Sequence, residues 1–324
     1  MFTIRRMCPD DKPAILEIAS RIWEGSDYLP GVFDEWVRDT TGEFAAVLLD
    51  GKLAGCGKLT FLTGTDAWLE GLRKDPLIKE SGLARVVALR FLSLLALRTD
   101  LTSIRFSTYV KNSASIVTNE RLGFRSRTVL SAKSWHGFRG QLAGPAARAR
   151  AAQSAAGVEV RTLRDEPAIL AFLRRGGYFT ATQGLIAEGW RVYPWSEARF
   201  IERYVRAGAC RGIAGAGGLA GMAAWTIGRR PGRTSAKVVC LDALDDDTAG
   251  ALLDDVFRGL SETPGASADG TDTCEVEWML PAGEGFRRWC ASRGLASEEQ
   301  EDDFLVYELP LDLLGSFAVP PGAG

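Results

Sequence analysis

The sequence has one histidine, His136, in 324 residues, and none of its six cysteines sits in a Cys-x-x-Cys pair. A single imidazole excludes every histidine-cluster metal site and leaves a Ser-His-Asp triad without support. No metal is therefore expected, and His136 reads as a structural imidazole. Cys8, Cys56, Cys210, Cys240, Cys274 and Cys290 read as isolated buried thiols of an intracellular protein. Also missing is any run approaching the roughly 20 apolar residues of a membrane span. Arg5, Arg6, Asp10, Asp11 and Lys12 interrupt the stretch where a signal peptide would lie. No membrane partner is expected, and a cytoplasmic location is. Arg121 to Ala156 lacks acid altogether, yet carries Arg121, Arg125, Arg127, Lys133, Arg139, Arg148 and Arg150. Such a block is a solvated face or linker, or a dock for an anionic partner.

What is present is ordinary globular composition, 46% hydrophobic and 25% charged, with a net charge of −2. A chain this long is expected to form two domains. Phe2 to Arg5 reads as a strand. Asp10-Asp11-Lys12-Pro13 opens a helix with Ile15, Leu16, Ile18, Ala19 and Ile22 on one face. After the loop Glu24 to Pro30 comes a second helix with Val32, Phe33, Trp36 and Val37. Asp50-Gly51 marks a hairpin between two strands. Thr102 to Val110 alternates as a strand, Asn112 opens a helix ending at Gly123-Phe124, and Thr128 to Trp135 is a last strand.

The organising stretch is Trp68 to Ala84, WLEGLRKDPLIKESGLA. A strand passes through Asp75-Pro76 and Lys79-Glu80-Ser81-Gly82 directly into a helical pattern holding Val86, Val87, Leu89, Phe91, Leu92, Leu94 and Leu95. A strand, a glycine turn and a helix N-terminus aim backbone N–H groups and the positive dipole end at one point. A pyrophosphate or other phosphate is expected there.

This order of elements resembles the GNAT superfamily of N-acetyltransferases. Glu70-Gly71-Leu72-Arg73-Lys74-Asp75-Pro76, followed by Lys79-Glu80-Ser81-Gly82-Leu83-Ala84, is similar to its pyrophosphate signature, Q/R-x-x-G-x-G/A. Asn112 with Arg121-Leu122-Gly123-Phe124 is similar to its later N-x-x-A-x-x-L-Y-x-x-x-G-F helix. The resemblance covers residues 2 to about 135. The segments Asp27 to Pro30 and Trp68 to Arg73 are similar to the branch that includes histidine N-acetyltransferases. The second half echoes the first: Val160 to Leu170 mirrors the opening strand and helix, and Ser292-Arg293-Gly294-Leu295 mirrors Arg121 to Phe124. The expected fold class is thus α/β (α+β), with tandem GNAT folds, each a mixed central sheet flanked by helices. The expected domains are a catalytic one at 1–141, an Ala/Arg/Gly-rich linker at 142–157, and a degenerate copy at 158–324 without a pyrophosphate loop. In that copy Asp242 and Asp245-Asp246-Asp247 stand where the cradle belongs, and carboxylates repel phosphate. Ser261 to Thr273 reads as a loop.

The resemblance implies attack of an amine on the thioester of acetyl-CoA or another acyl-CoA. Backbone groups of Ser81, Gly82, Leu83 and Ala84, with Lys79, would hold the pyrophosphate. Leu72, Arg73 and Lys74 would pair with the pantetheine arm, and Asn112 lies in the second motif. Glu70, expected on the same strand face as Trp68 and Leu72, is the candidate base. Trp23, Glu24, Asp27 and Tyr28 lie in the loop the family closes over the acceptor; aromatics and carboxylates there suit a cationic amine. The sequence departs from the family in three places. Glu80 stands beside the phosphates where a small residue is usual, Ser81 replaces a cation, and Asn119 replaces the tyrosine that often protonates the departing thiolate. Tyr109, one strand earlier, is the candidate substitute acid, with core packing as the alternative reading. A second reading takes the acyl group from an aminoacyl-tRNA, held through the basic 121–150 segment, because an ester donor needs no thiolate acid. A third is a non-catalytic acyl-CoA-binding module. The acceptor is read as a small-molecule amine or amino acid, and the protein as a monomer with an internal pseudo-dimer or a homodimer. Reversing Asp245, Asp246 and Asp247 to lysine is expected to leave donor affinity unchanged in a calorimetric titration. A large loss would place the cradle in the second copy.

Overall fold

The computed structural model describes residues 1–145, 147, 159–230, 232–264, 272–281, 283–295 and 303–318. Most of the 142–157 linker and the centre of the Ser261–Thr273 loop lie outside the described residues. Among those described, no helix is long and apolar enough to cross a membrane. The chain packs as two units that no single cut separates: Met1–Ser126 with Val306–Gly324, and Arg127–Leu305. The sequence reading instead divides the chain at 142–157.

The first unit runs β1 (Phe2–Arg6), α1 (Lys12–Ser20), α2 (Leu29–Arg38), β2 (Glu43–Leu49), β3 (Lys52–Phe61), β4 (Asp66–Lys74), α3 (Leu83–Leu95), β5 (Ser103–Tyr109) and α4 (Ser113–Glu120). Its sheet order is β1-β2-β3-β4-β5. The first four strands are antiparallel, and β4 and β5 are parallel. Helices cover both faces. Cys56 joins the apolar cluster of Ile15, Ile18, Phe33, Trp36 and Phe44, from α1, α2 and β2. Its neighbour Gly57 points the other way: a Cβ there would lie 2.5 Å from Val87 on α3. The period of two along a strand thus feeds two cores from one segment, and the glycine lets α3 approach closely.

The returning C-terminus completes this unit. In β14 (Asp303–Glu308), Tyr307 stacks on Phe106 with ring centroids 5.2 Å apart, and its hydroxyl donates to Glu120 at 2.9 Å. Phe106 meets Phe124 edge-on at 5.1 Å. These contacts with Phe106 and Glu120 tie Val306 onward to the first unit.

The second unit contains β6 from Arg127 onward (the strand is Arg125–Phe138), β7 (Val160–Thr162), β8 (Leu185–Glu188), β9 (Arg191–Pro194), β10 (Cys210–Gly215), β11 (Gly218–Arg230), β12 (Arg233–Ala243) and β13 (Thr273–Pro281). Its main sheet has the order β6-β13-β12-β11-β10-β7; β8 and β9 form a separate hairpin. β12 and β13 are parallel and joined through the Asp246–Glu262 helix, as β4 and β5 are joined through α3. Both units are therefore α/β, with a mixed sheet flanked by helices, the class expected from the sequence.

At the edge of the first unit, Arg5 grips Asp11 through both its terminal nitrogens at 2.7 Å, and this hydrogen bonding holds the Asp11 carboxyl down at about 2. A depressed carboxylate stabilises the fold above its unfolded pKa and loses that contribution as pH falls through its folded one. With Arg5 partly exposed, screening reduces the effect to about 1 kcal/mol. Asp11→Asn is expected to destabilise at pH 7 by that amount, and the difference from wild type should vanish between pH 4 and pH 2 in urea titrations.

Candidate active site

The site begins where two strands part. β4 and β5 keep register for three pairs, Asp66↔Ser103, Ala67↔Ile104 and Trp68↔Arg105. Past these, Leu69–Lys74 of β4 has no register partner on β5. The paired end is held by a buried network. Asp66 accepts from Ser103 Oγ at 2.6 Å and Thr102 Oγ1 at 3.0 Å, and pairs with Arg105 at 3.2 Å. Arg105 and Asp66 are almost fully buried. Beyond the network this side of β4 has no register partner on β5, the kind of edge to which an extended chain can add in general.

A bulge re-aims the same edge. On β3, Cys56 faces Arg73 and Lys58 faces Glu70, so Gly57 alone opposes Gly71 and Leu72. Gly71 has φ +65°, and a Cβ there would lie 2.5 Å from the Trp36 ring. Both the left-handed backbone and the indole require glycine. The extra residue breaks the alternation expected from the sequence: Trp68 is buried, while Glu70 and Leu72 no longer share a face by simple parity. Glu70 is half-buried and accepts from Thr60 Oγ1 at 2.5 Å.

Downstream, Asp75 braces the loop. Its carboxylate takes Arg21 Nη2 at 2.8 Å and Nε at 3.2 Å, and the Leu77 amide at 3.0 Å. The loop ends at Gly82, φ +102°, the N-cap of α3; no side chain caps this helix, and its first turn holds no acid. A Cβ on Gly82 would meet no atom within 4 Å. Leu83 is buried, packing within reach of Gly55, whereas Lys79, Glu80, Ser81 and Gly82 are exposed and Ala84 is half-buried. A helix start with no side-chain cap and no carboxylate in its first turn is, in general, favourable to an anion.

The Trp23–Tyr28 loop is tied down in a way the sequence did not reveal. Asp27 was read as a contact for a cationic amine. Its carboxylate is fully buried and is forked by Arg73, with Nε at 2.7 Å and Nη2 at 3.0 Å. The Arg73 guanidinium lies 4.4 Å from the Trp23 ring and 5.1 Å from the Tyr28 ring. Trp23 and Tyr28 stay half-exposed, and Tyr28 also meets Trp36 edge-on at 6.1 Å. Burial pushes the Tyr28 phenol up, Arg73 pulls it down, and the Glu70 carboxylate raises it. Trp23, Glu24 and Gly25 have φ of 46°, 56° and 84°. Two consecutive non-glycine residues in this region cost on the order of 1 kcal/mol or more each, and persist only where surroundings impose them. The site therefore gathers Trp23, Tyr28, Glu70 and Arg73, with Asp27 neutralised inside and Glu24 exposed.

Tyr109 sits exposed at the end of β5. Asn112 caps α4, its side chain accepting from the Ser115 amide at 3.2 Å. Asn119 is buried and turned onto its own helix, donating to the Ser115 carbonyl at 2.8 Å. His136 lies in the second unit, exposed, 3.1 Å from Ser134 Oγ and 3.5 Å from Glu275.

The equivalent place in the second unit is occupied by its own chain. β12 and β13 pair from Arg233↔Thr273 to Val238↔Trp278. On β12 just past that point, the Val239 carbonyl accepts from the buried Tyr178 hydroxyl at 2.7 Å, and Asp242 accepts from the Gly177 and Tyr178 amides at 3.3 and 3.2 Å. The following helix is self-capped: Asp245 takes the Thr248 amide at 2.7 Å and the Thr248 hydroxyl at 3.0 Å, and Asp246 and Asp247 fill its first turn.

Two solved structures share this fold along almost the whole chain. One is a GCN5-related N-acetyltransferase from Sphaerobacter thermophilus, 14% identical, with TM-score 0.56 over 95% of each chain. The other is a candidate acetyltransferase from Thermoplasma acidophilum, 14% identical, with TM-score 0.51 over 94% of this chain and 98% of that one. This is the GNAT fold. No protein-family model and no curated protein sequence matches the chain. At this identity the shared GNAT architecture is what the likeness carries, and the chemistry must be argued from the residues.

Gly71→Ala would push a methyl into the Trp36 ring and strain a positive φ. It is expected to lower stability by about 2 kcal/mol, read as a fall in denaturation midpoint, whereas Gly31→Ala, with open space around it, should not.

Proposed function

We propose that the first unit is an N-acyltransferase that moves an acyl group, acetyl in the simplest case, from an acyl-CoA thioester to a primary amine in a ternary complex. The observation that carries this reading is the parting of β4 from β5 beside an uncapped α3 N-terminus, with a carboxylate on the freed edge. An extended pantetheine arm would add to β4 at Leu72–Lys74, and the amides of Ser81 to Ala84 would receive the pyrophosphate. Lys79 lies beside them, and the exposed Glu80 is free to turn to solvent, so the cradle rests on backbone groups.

Glu70 would take a proton from the bound ammonium, directly or through a water. The amine nitrogen then bonds to the thioester carbon, a backbone N–H near Lys74 stabilises the oxyanion, the nitrogen gives up its second proton to solvent, and the C–S bond breaks to release the thiolate. Tyr109 is the candidate to return a proton to the thiolate. The acceptor is a small amine or amino acid meeting the exposed Trp23, Tyr28 and Glu24. In the second unit Tyr178, Asp242 and Asp245 fill the corresponding groups, which supports a tandem with one donor site per chain.

Asn119 favours one other reading. Its amide is spent on Ser115, so this helix offers no acid to a thiolate, and an aminoacyl-tRNA donor with a ribose hydroxyl leaving group would need none. The basic 121–150 segment would hold its phosphates.

Calorimetric titration distinguishes the donors. Acetyl-CoA is expected to bind with a stoichiometry of one, lost in Gly82→Trp. Absence of binding at millimolar acetyl-CoA, together with salt-sensitive binding of charged tRNA, would overturn the leading reading. Glu70→Gln is expected to retain donor binding and lower thiol release about 100-fold or more; unchanged turnover would remove Glu70 as base.

A further inference from the structure

We infer that Arg73 is a positioning residue for the acceptor: it clamps the Trp23–Tyr28 loop onto the bulged end of β4. This rests on the acyltransferase reading for its kinetic consequence, though the clamp itself is a matter of geometry.

Four observations converge on this side chain. Arg73 belongs to the strand that carries Glu70, one residue past the bulge at Gly71–Leu72. Its fork closes on a carboxylate, Asp27, that has no solvent exposure. The same guanidinium is flanked by Trp23 and Tyr28, one ring from each end of the loop, at 4.4 and 5.1 Å. Between those rings the chain holds three successive left-handed residues, Trp23, Glu24 and Gly25. A single cation thus bonds the loop's one buried acid and faces its two half-exposed aromatics, while the backbone between them is kept in a conformation it would not choose alone.

The consequence is a division of labour. Asp27 is held in an ion pair and is withdrawn from contact with the acceptor. It holds Arg73 and also accepts from the Leu29 amide at 3.1 Å at the start of α2, while Arg73 holds the rings. Acceptor recognition falls to the outward faces of Trp23 and Tyr28 and to the exposed Glu24, a set that fits an arylalkyl or other apolar-bodied ammonium better than a polyanionic or strongly polar amine. The donor edge, which uses backbone groups of the same strand, is left untouched.

Lysine keeps the charge but has neither the fork nor the flat face, so Arg73→Lys isolates the clamp. With acetyl-CoA as donor and phenethylamine as acceptor probe, Arg73→Lys is expected to raise the phenethylamine KM at least ~10-fold while kcat stays within ~3-fold and the acetyl-CoA dissociation constant, which depends on the Arg73 backbone, moves much less than that KM. Amide exchange over residues 23–28 should rise in the same variant. The pair Asp27→Asn with Arg73→Gln, which leaves no buried charge unpaired, serves where the single variant folds poorly, and should show the same KM rise and faster exchange. Unchanged KM and exchange would overturn the inference. So would a loss spread equally over donor affinity, kcat and melting temperature, which would make Arg73 a stability residue only. If the wild type releases no thiol with any primary amine, the acyltransferase reading fails. The clamp is then judged by exchange alone, and equal protection of residues 23–28 in wild type and Arg73→Lys sinks it.

Discussion

The parallel pair β4–β5 is held together at one end and released at the other, and the first unit is arranged around that release. Parallel strands ordinarily continue their ladder, because each unpaired backbone group out of water costs free energy. Here the ladder lasts three residue pairs. The buried Asp66, Ser103 and Arg105 network fastens the start, and the bulge at Gly71 turns the rest of β4 aside. This leaves Leu69–Lys74 without a register partner on β5. The helix that follows starts at Gly82 with no side-chain cap.

The second unit shows what the same topology becomes when the corresponding groups are bonded internally. Its parallel pair is joined by a helix in the same way, but Tyr178 bonds to the strand just beyond the last register pair, and Asp245 caps the helix. A hydrogen bond made within the chain competes with one made to a ligand. A carboxylate at a helix start also replaces the anion such a start would otherwise attract. Two units of like topology therefore differ in a handful of polar contacts at the corresponding strand and helix start.

Much of the fold was legible in the chain. The hairpin at Asp50-Gly51, the amphipathic helices and the Gly82 turn into α3 are local signals, set by φ preferences and by periods of 2 and 3.6 residues, and the structure has each of them. The GNAT architecture expected from two short motifs is the architecture found. Less was legible in the site. The bulge at Gly71 changes the parity of the strand, and nothing in Leu69 to Lys74 besides one glycine announces it. Asp27 and Arg73 lie 46 residues apart, with no periodic relation to link them. The return of Tyr307 to Phe106 spans most of the chain.

By itself, then, the sequence determined the kinds of elements, their order, and the glycine turn that starts α3, because these depend on neighbours within a few residues. Tertiary structure alone decided which groups remain free. Asp27 became a clamp partner, Asn119 turned back on its helix, and Tyr178 and Asp245 closed the second unit. A side chain's availability depends on whichever distant donor or acceptor folding brings within 3 Å of it, and that pairing is a property of the packed chain.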